Sequence, residues 1–504
     1  MELLNYMMMG FSVALQPMNL FYCFLGVLIG TLVGVLPGLG PVAAMSLLLP
    51  ATFHTTPVAS IIMLAGIFYG AQYGGSTTSI LVNIPGEASS VVTCLDGYQM
   101  ARQGRAGPAL GISAFGSFIA GTIGIIGLML IAPPLVDFAL KFGPPEYFSL
   151  MVLGLMILTF LTSASMVRAL MMAAFGLAVG TIGLDNISGL PRFTFNIPEL
   201  LDGVGLVPLV MGLFGISEVL LNIELRIRTE VFTSKVKGLL PTLEDWARSI
   251  WAILRGTFIG FFLGILPGGG AVIASFISYA IEKRVSKHPE NFGKGAIEGV
   301  AAPESANNSA AQGGFVPLLT LGIPSNAVMA LLLGALIIHG VTPGPLLLSQ
   351  HPDLFWGLVA SMYIGNAMLL VLNLPLIGIW VQLLKVPYPI LFPIIILFCL
   401  IGSYSINNSS TDVLIMVVFG VVGYLMKKLS LEAAPLVLAF VLGPMLETSL
   451  RQALIKSKGS FLIFFTRPIS ATFLLIAIAL MVASLFPWFR RRRPGAALEQ
   501  EVAS

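Results

Sequence analysis

No Asp, Glu, Lys or Arg lies anywhere between Glu2 and Glu87. A membrane-spanning helix needs roughly 20 apolar residues, so this stretch alone has room for about three or four spans. A second uncharged stretch runs from Ser305 to Pro352. Across the 504 residues 10% are charged and 57% hydrophobic, whereas about a quarter of an ordinary soluble domain is charged. So few charges cannot cover the surface of a soluble protein of this size. The expected fold is an all-α polytopic membrane protein with about 10–13 membrane segments, some of them broken or re-entrant.

Several function classes fall away at once. The net charge is only +3 and the basic residues sit in short connections, so nucleic acid is not an expected partner. Cys23, Cys94 and Cys399 lie in or beside apolar segments without CxxC spacing, which suggests neither a disulfide framework nor a metal site. The N-terminal MELLNYMMMG lacks the basic region of a cleavable signal, so the first span, near Tyr22–Leu36, is expected to stay. GxxxxGK[ST], HExxH and GxSxG are all missing, which removes the P-loop ATPase, zincin and serine hydrolase readings. The chain is read as a non-enzyme without cofactors.

The one sizeable polar insert, Asn222–Ile250, carries Arg226, Arg228, Lys235, Lys237 and Arg248. It divides the chain into a first transmembrane repeat (1–222), a cytoplasmic connecting loop (223–249), a second repeat (250–488) and a polar tail (489–504). The halves share two motifs in one order. G-V-L-P-G-L-G around Pro37 matches G-I-L-P-G-G-G around Pro267. Gly74-Gly75 followed by Ile84-Pro85 matches Gly313-Gly314 followed by Ile323-Pro324. Two motifs at nearly one offset argue for an internal duplication. Basic residues then separate the copies. The connection between the motifs lacks Lys and Arg in the first half (Ala51–Pro57) but holds Lys283, Arg284, Lys287 and Lys294 in the second. The connection after the second motif reverses this, with Arg102 and Arg105 in the first half and none over Gly340–Pro352. Short cytoplasmic loops collect Lys and Arg, so the repeats are expected to be inverted, a common transporter plan. The Arg490–Arg493 run is read as cytoplasmic.

The motifs themselves are helix breakers inside apolar sequence. Non-helical backbone at membrane depth is tolerated only against protein or a water-filled cavity. N–H groups after such a break favour anions, and carbonyls before it favour cations. A close-packed kink without a ligand is the plain alternative for one break; two in equivalent positions favour a site. Gly38, Gly40, Gly268 and Gly270 are expected to shape these breaks. Around the second motif pair cluster Ser76, Thr77, Thr78, Asn83 and Pro85 in one half, and Asn307, Asn308, Ser309, Ser325 and Asn326 in the other. Amides and hydroxyls can coordinate a carboxylate or complete the shell of a sodium ion without adding charge. Lone Ser and Thr are more often helix–helix glue. Glu304, beside the Asn pair, is the candidate ion ligand or proton carrier, with Glu87 next and Glu218 behind it, because intramembrane acids are functional suspects.

Together GVLPGLGP, YGAQYGGSTTSILVNIPGEASSVVT, GILPGGGA, APESANNSAAQGGFVPLLTLGIPSNAVMALLLGAL and Thr466-Arg467-Pro468 closely resemble the large membrane subunit of tripartite tricarboxylate transporters (the TctA type). The resemblance covers essentially the whole chain. It implies a bacterial inner-membrane permease working with a small membrane subunit (TctB type) and a periplasmic solute-binding protein (TctC type). It implies import of an organic di- or tricarboxylate such as citrate, driven by a sodium or proton gradient. A stand-alone antiporter or channel for small anions is the rival reading.

Overall fold

The computed structural model describes residues 2–36, 40–161, 166–185, 187–225, 238–268, 270–384 and 388–485. Among the described residues, nine helices are long and apolar enough to cross a membrane, with shorter apolar helices beside them. The chain is an all-α, multi-pass membrane protein. The first half contains α1 (Glu2–Ala14), α2 (Pro17–Val35), α3 (Gly40–Leu48), α4 (Pro57–Val82), α5 (Val91–Arg102), α6 (Ala106–Ala139), α7 (Pro144–Leu161) and α8 (Met166–Gly180). A short antiparallel pair, β1 (Gly183–Leu184) and β2 (Pro191–Arg192), leads to α9 (Leu206–Val210), a π-helical stretch and α10 (Ser217–Leu225).

The second half begins at α11 (Leu243–Ile265), so helix takes up the end of the polar connecting segment. A reciprocal cap starts it there: Asp245 N–H donates to Thr242 Oγ1 at 3.2 Å, and Thr242 N–H to Asp245 Oδ2 at 3.0 Å. Then follow α12 (Gly270–Val285), α13 (Glu298–Leu321), α14 (Ala327–Ile338), α15 (Leu347–Gln350), α16 (Pro352–Asn373), α17 (Ile377–Leu383) and α18 (Tyr388–Asn407). The chain closes with α19 (Ser410–Lys428), α20 (Ala433–Lys456), α21 (Ile463–Thr466) and α22 (Pro468–Leu485).

Two glycine ladders build the centre. Helices α2 and α4 run parallel, and Gly26, Gly30 and Gly34 lie directly on the backbone of Met63, Ile67 and Ala71. Helices α11 and α13 repeat this, with Gly256, Gly260 and Gly264 on Ala302, Ala306 and Ala310. The two ladders are separated in sequence by the same offset as the two Pro-Gly motifs. Small residues four apart let membrane helices approach to backbone contact, where packing and not hydrophobicity drives association. Past each ladder lies the Pro-Gly motif, and α3 or α12 follows it as the second arm of a hairpin.

Both long central helices then break. Helix α4 stops at Asn83, with φ 59°, and α13 at Gly322, with φ 71°. The next helical turns are capped by Glu87 and Asn326, so stop and restart are separated by one and the same interval in the two halves. The two paths point opposite ways. The start of α4 lies by the end of α14, where Thr52 Oγ1 and His339 Nε2 are 3.5 Å apart. The end of α5 lies by the start of α13, where Gln103 Nε2 donates to Lys294 O at 2.7 Å. That second face also gathers the ion pairs Arg105–Asp245, Arg248–Glu298, Lys427–Glu218 and Lys428–Glu224. It is the basic face of the molecule; the opposite face carries the uncharged connections Ala51–Thr56 and Gly340–His351.

Outside the centre α8 packs on α20 through Gly176 and Leu436. Helix α7 packs on α22, where Ser149 and Ser470 share a hydrogen bond of 2.7 Å and Arg467 pairs with Glu146. Leu130, Phe258, Phe262 and Val371 point outward, as lipid-facing residues do. Any Cβ at Gly260 would overlap the Ala306 backbone, while one at Gly378 meets nothing. Gly260→Val is therefore expected to cost about 2 kcal/mol or more and to lower the unfolding temperature of the purified protein in detergent. Gly378→Ala is expected to leave it unchanged; equal melting of the two variants would show that the ladder carries no stability.

Candidate functional site

Helices α4 and α13 are buried along nearly their whole length. In a bilayer an all-round buried helix is free to be polar, and α13 is. The Glu304 carboxylate, fully buried, accepts from Ser76 Oγ of α4 on one oxygen and Thr93 Oγ1 of α5 on the other. Ser113 of α6 and the Asn307 amide stand beside it. The Glu304 carbonyl is braced in turn by Asn308 Nδ2 at 3.1 Å and Ser117 Oγ at 3.3 Å. Asn308 Nδ2 also reaches Ser117 Oγ at 2.8 Å and Asn307 Oδ1 at 2.6 Å. Asn307 Nδ2, Ser305 Oγ and Gln312 Oε1 are buried without a hydrogen-bond partner. Four helices thus converge on one carboxylate that no described Lys or Arg approaches.

The first break lies immediately beside it. Glu87 packs its Cγ over Gly75, the residue before Ser76. Its carboxylate meets the Ser89 hydroxyl, which also lies 2.6 Å from Gln72 Oε1. Ser79 Oγ donates to Ser90 Oγ at 2.9 Å, and Thr78 Oγ1 to Val35 O at 2.8 Å. Thr78 therefore joins α4 to the end of α2. Thr77 is buried, whereas Asn83, at the left-handed helix end, is exposed and Pro85 half-buried.

The second break is a separate place. Gly268 N–H donates to Ser325 O at 2.7 Å, so the Pro-Gly tip of α11–α12 sits on the Ile-Pro-Ser-Asn turn. Gly268 (φ 78°) and Gly270 (φ 44°) both take the left-handed backbone that this tight reversal needs. Asn326 Oδ1 caps α14 by accepting Met329 N–H at 3.0 Å, and its Nδ2 reaches the buried Ser325 Oγ at 3.4 Å. Ser309 Oγ donates to Thr257 O at 2.8 Å and joins α13 to α11. Gly40 opens α3 with φ 62°; Gly38 lies outside the described residues. At 1.5 Å per residue, Glu304 and Gly322 are about 27 Å apart along α13. The residues singled out in the sequence thus fall into two groups, an acidic one at the first break and an uncharged one at the second.

Thr93 closes one of the segments that carry the family resemblance but was not singled out as a site residue, and Ser113 and Ser117 had no motif to mark them. Tyr73, in that same segment and likewise not singled out, donates its hydroxyl to Asn366 Oδ1 at 2.8 Å, tying α4 to α16. Asp96 of α5 accepts Gly293, Gly295 and Ala296 N–H at 2.9, 2.8 and 2.8 Å and the Tyr279 hydroxyl at 2.9 Å. It holds the α12–α13 connection against the first half. On the opposite face a cavity of about 660 Å³ opens between the β-hairpin, α9, α14 and α20. There Arg451 Nη1 donates to both Asp185 oxygens at 2.8 Å, and Arg192 forks onto Glu447 at 2.8 and 3.1 Å. The Arg451 guanidinium holds the Asp185 carboxyl well below the usual carboxylate range. No group of three or more His, Cys, Asp or Glu residues that could hold a metal ion occurs among the described residues. The oxygens around Glu304 are hard donors, suited to an alkali cation or a proton.

The tripartite tricarboxylate transporter TctA family model matches residues 20–438. A relative from Agrobacterium vitis, described as "Uncharacterized 52.8 kDa protein in TAR-I ttuC' 3'region", is 52% identical over 501 residues, covering 99% of this chain and 100% of the relative. A second from the same organism, "Uncharacterized protein in TAR-II ttuC' 3'region", is 53% identical over 242 residues, covering 48% of this chain and 100% of that protein. No solved structure matches the chain. With both hairpins, both broken helices and the Glu304 cluster inside the matched span, the chain belongs to the tripartite tricarboxylate transporter TctA family.

Proposed function

We propose that the chain is the permease subunit of a secondary importer that takes up an organic di- or tricarboxylate such as citrate, driven by sodium or protons. A periplasmic TctC-type binding protein delivers the solute, a small TctB-type subunit completes the membrane part, and the assembly sits in a bacterial inner membrane. The observation that carries the reading is Glu304: a fully buried carboxylate held by hydroxyls, with no described Lys or Arg against it. An isolated buried charge is too costly to keep without a counter-ion or a proton, so Glu304 is the coupling group. At the second break α12 and α14 start close together, with a Cβ placed on Gly270 falling 3.9 Å from Asn326 Cβ. Two converging helix N-termini beside Ser325 suit a solute carboxylate.

The nearly equal offsets of motifs, ladders and caps, with the opposed directions of α4 and α13, support an inverted repeat. The basic face is then cytoplasmic. The hairpins and broken helices would move together against α7, α8, α20 and α22 during alternating access.

Three measurements test this. Citrate uptake into proteoliposomes holding this chain and its small partner should require both binding protein and an imposed cation gradient; uptake without the binding protein rejects the tripartite mechanism. Glu304→Gln should abolish gradient-driven accumulation at equal expression, and Asn308→Ala should weaken apparent cation affinity about tenfold; normal uptake in both removes the site. In a background without native cysteines, His54→Cys and Leu346→Cys should react with an impermeant thiol reagent from outside, and Arg102→Cys and His288→Cys only from inside.

A further inference from the structure

The ladder glycines of α2 and α11 lie on backbone, whereas three glycines of α6 lie on polar side chains. A Cβ on Gly116 would fall 3.0 Å from Ser305 Oγ, and one on Gly121 3.0 Å from Asn366 Nδ2. On Gly124 it would fall 2.9 Å from Gln312 Cβ and 3.4 Å from Ser309 Oγ. Ser113 stands beside the Glu304 carboxyl and Ser117 donates to the Glu304 carbonyl. At helical spacing these five residues share one face of α6. Helix α6 starts at the basic face, beside the Arg105–Asp245 pair, so this face leads from Glu304 towards the opposite side. At 1.5 Å per residue it extends about 16 Å from Ser113 to Gly124. Over that length α6 carries no Asp, Glu, Lys or Arg, and neither does α13 beyond Glu304.

Helix–helix glue explains only part of this face. Ser309 and Asn308 have partners on α11 and α6, the Thr257 carbonyl and Ser117 Oγ. Ser305 Oγ and Gln312 Oε1 have no hydrogen-bond partner, although their side chains are 0% and 2% exposed. Both are acceptor oxygens, and both side chains lie where α6 lacks a Cβ. A buried oxygen without a donor only costs desolvation. A polar cleft lined by such oxygens is where a protein interior holds water.

We infer that this face of α6 is the route by which the coupling cation reaches Glu304, a hydrated seam in which Gln312 Oε1 and Ser305 Oγ replace part of the cation's water shell. The inference rests on the import reading, with Glu304 as its coupling group, and adds the direction of approach, from the face opposite the basic one. Sodium and a proton carried on water share these oxygens, and the test separates them.

In the background without native cysteines, silver ions, monovalent cations that bind thiols, are applied to right-side-out membrane vesicles. Thiols left free are then labelled with a maleimide after denaturation. Gln312→Cys and Ser305→Cys should lose their labelling, while Val316→Cys, one turn further along α13 in the apolar core, should keep it. Equal labelling of the three variants overturns the route. Excess sodium that slows the loss names sodium as the traveller; no sodium effect names the proton. Gln312→Leu removes the oxygen and keeps a side chain of similar size. It should lower the maximal rate of cation-driven uptake about tenfold, with a melting temperature no lower than that of the wild type. A dry, purely structural Gln312 predicts unchanged uptake in that variant, and this result also overturns the route. If the chain imports no carboxylate and silver still reaches both cysteines, the import reading fails and the cation route stands.

Discussion

A helix broken inside a bilayer strands backbone N–H and C=O groups that lipid cannot satisfy, and each costs several kcal/mol if left bare. The rest of this structure follows from that constraint. Each break needs protein around it, and in each half a Pro-Gly hairpin supplies it. Gly268 N–H meets the Ser325 carbonyl at the second break, and Gly86 presses on the Gly34 carbonyl at the first. The glycine ladders exist because the hairpin must lie against the broken helix closely enough to reach. The caps, Glu87 and Asn326, restart the helices with side-chain oxygens where backbone acceptors have run out.

Once the breaks are braced, polar side chains on the same helices need not serve as mortar. Thr78 and Ser309 do serve that way, bonding to Val35 and Thr257 carbonyls. Ser76, Thr93 and the Asn307–Asn308 pair instead surround a carboxylate and its backbone. The charge distribution sharpens this contrast. Most of the described arginines and lysines lie at the basic face or in ion pairs, and the interior around Glu304 receives none among the described residues.

Much of the fold was legible in the sequence because its signals are local. Uncharged stretches, Pro-Gly breaks and repeated spacing all survive without knowledge of what packs where. The first span starts ahead of the expected Tyr22, at Pro17, where proline's fixed φ suits a helix start. The site was legible in chemistry but not in layout. Ser113 and Ser117 are lone hydroxyls in the apolar helix α6 and Thr93 is one of several polar residues on α5, and nothing in their spacing separates a ligand from glue. The separation of the two site groups was equally hidden. It depends on where along α13 each neighbour crosses, which is a property of tertiary packing and not of any motif.

The ladders have a mechanical consequence. Where Gly260 lies on the Ala306 backbone and Gly30 on Ile67, no layer of flexible side chains separates the helices. Side-chain layers are the bearings on which packed helices slide; backbone seated on backbone has none. Each hairpin and its broken helix therefore form one stiff lever, and whatever displaces the turn at a break displaces its whole pair without slack.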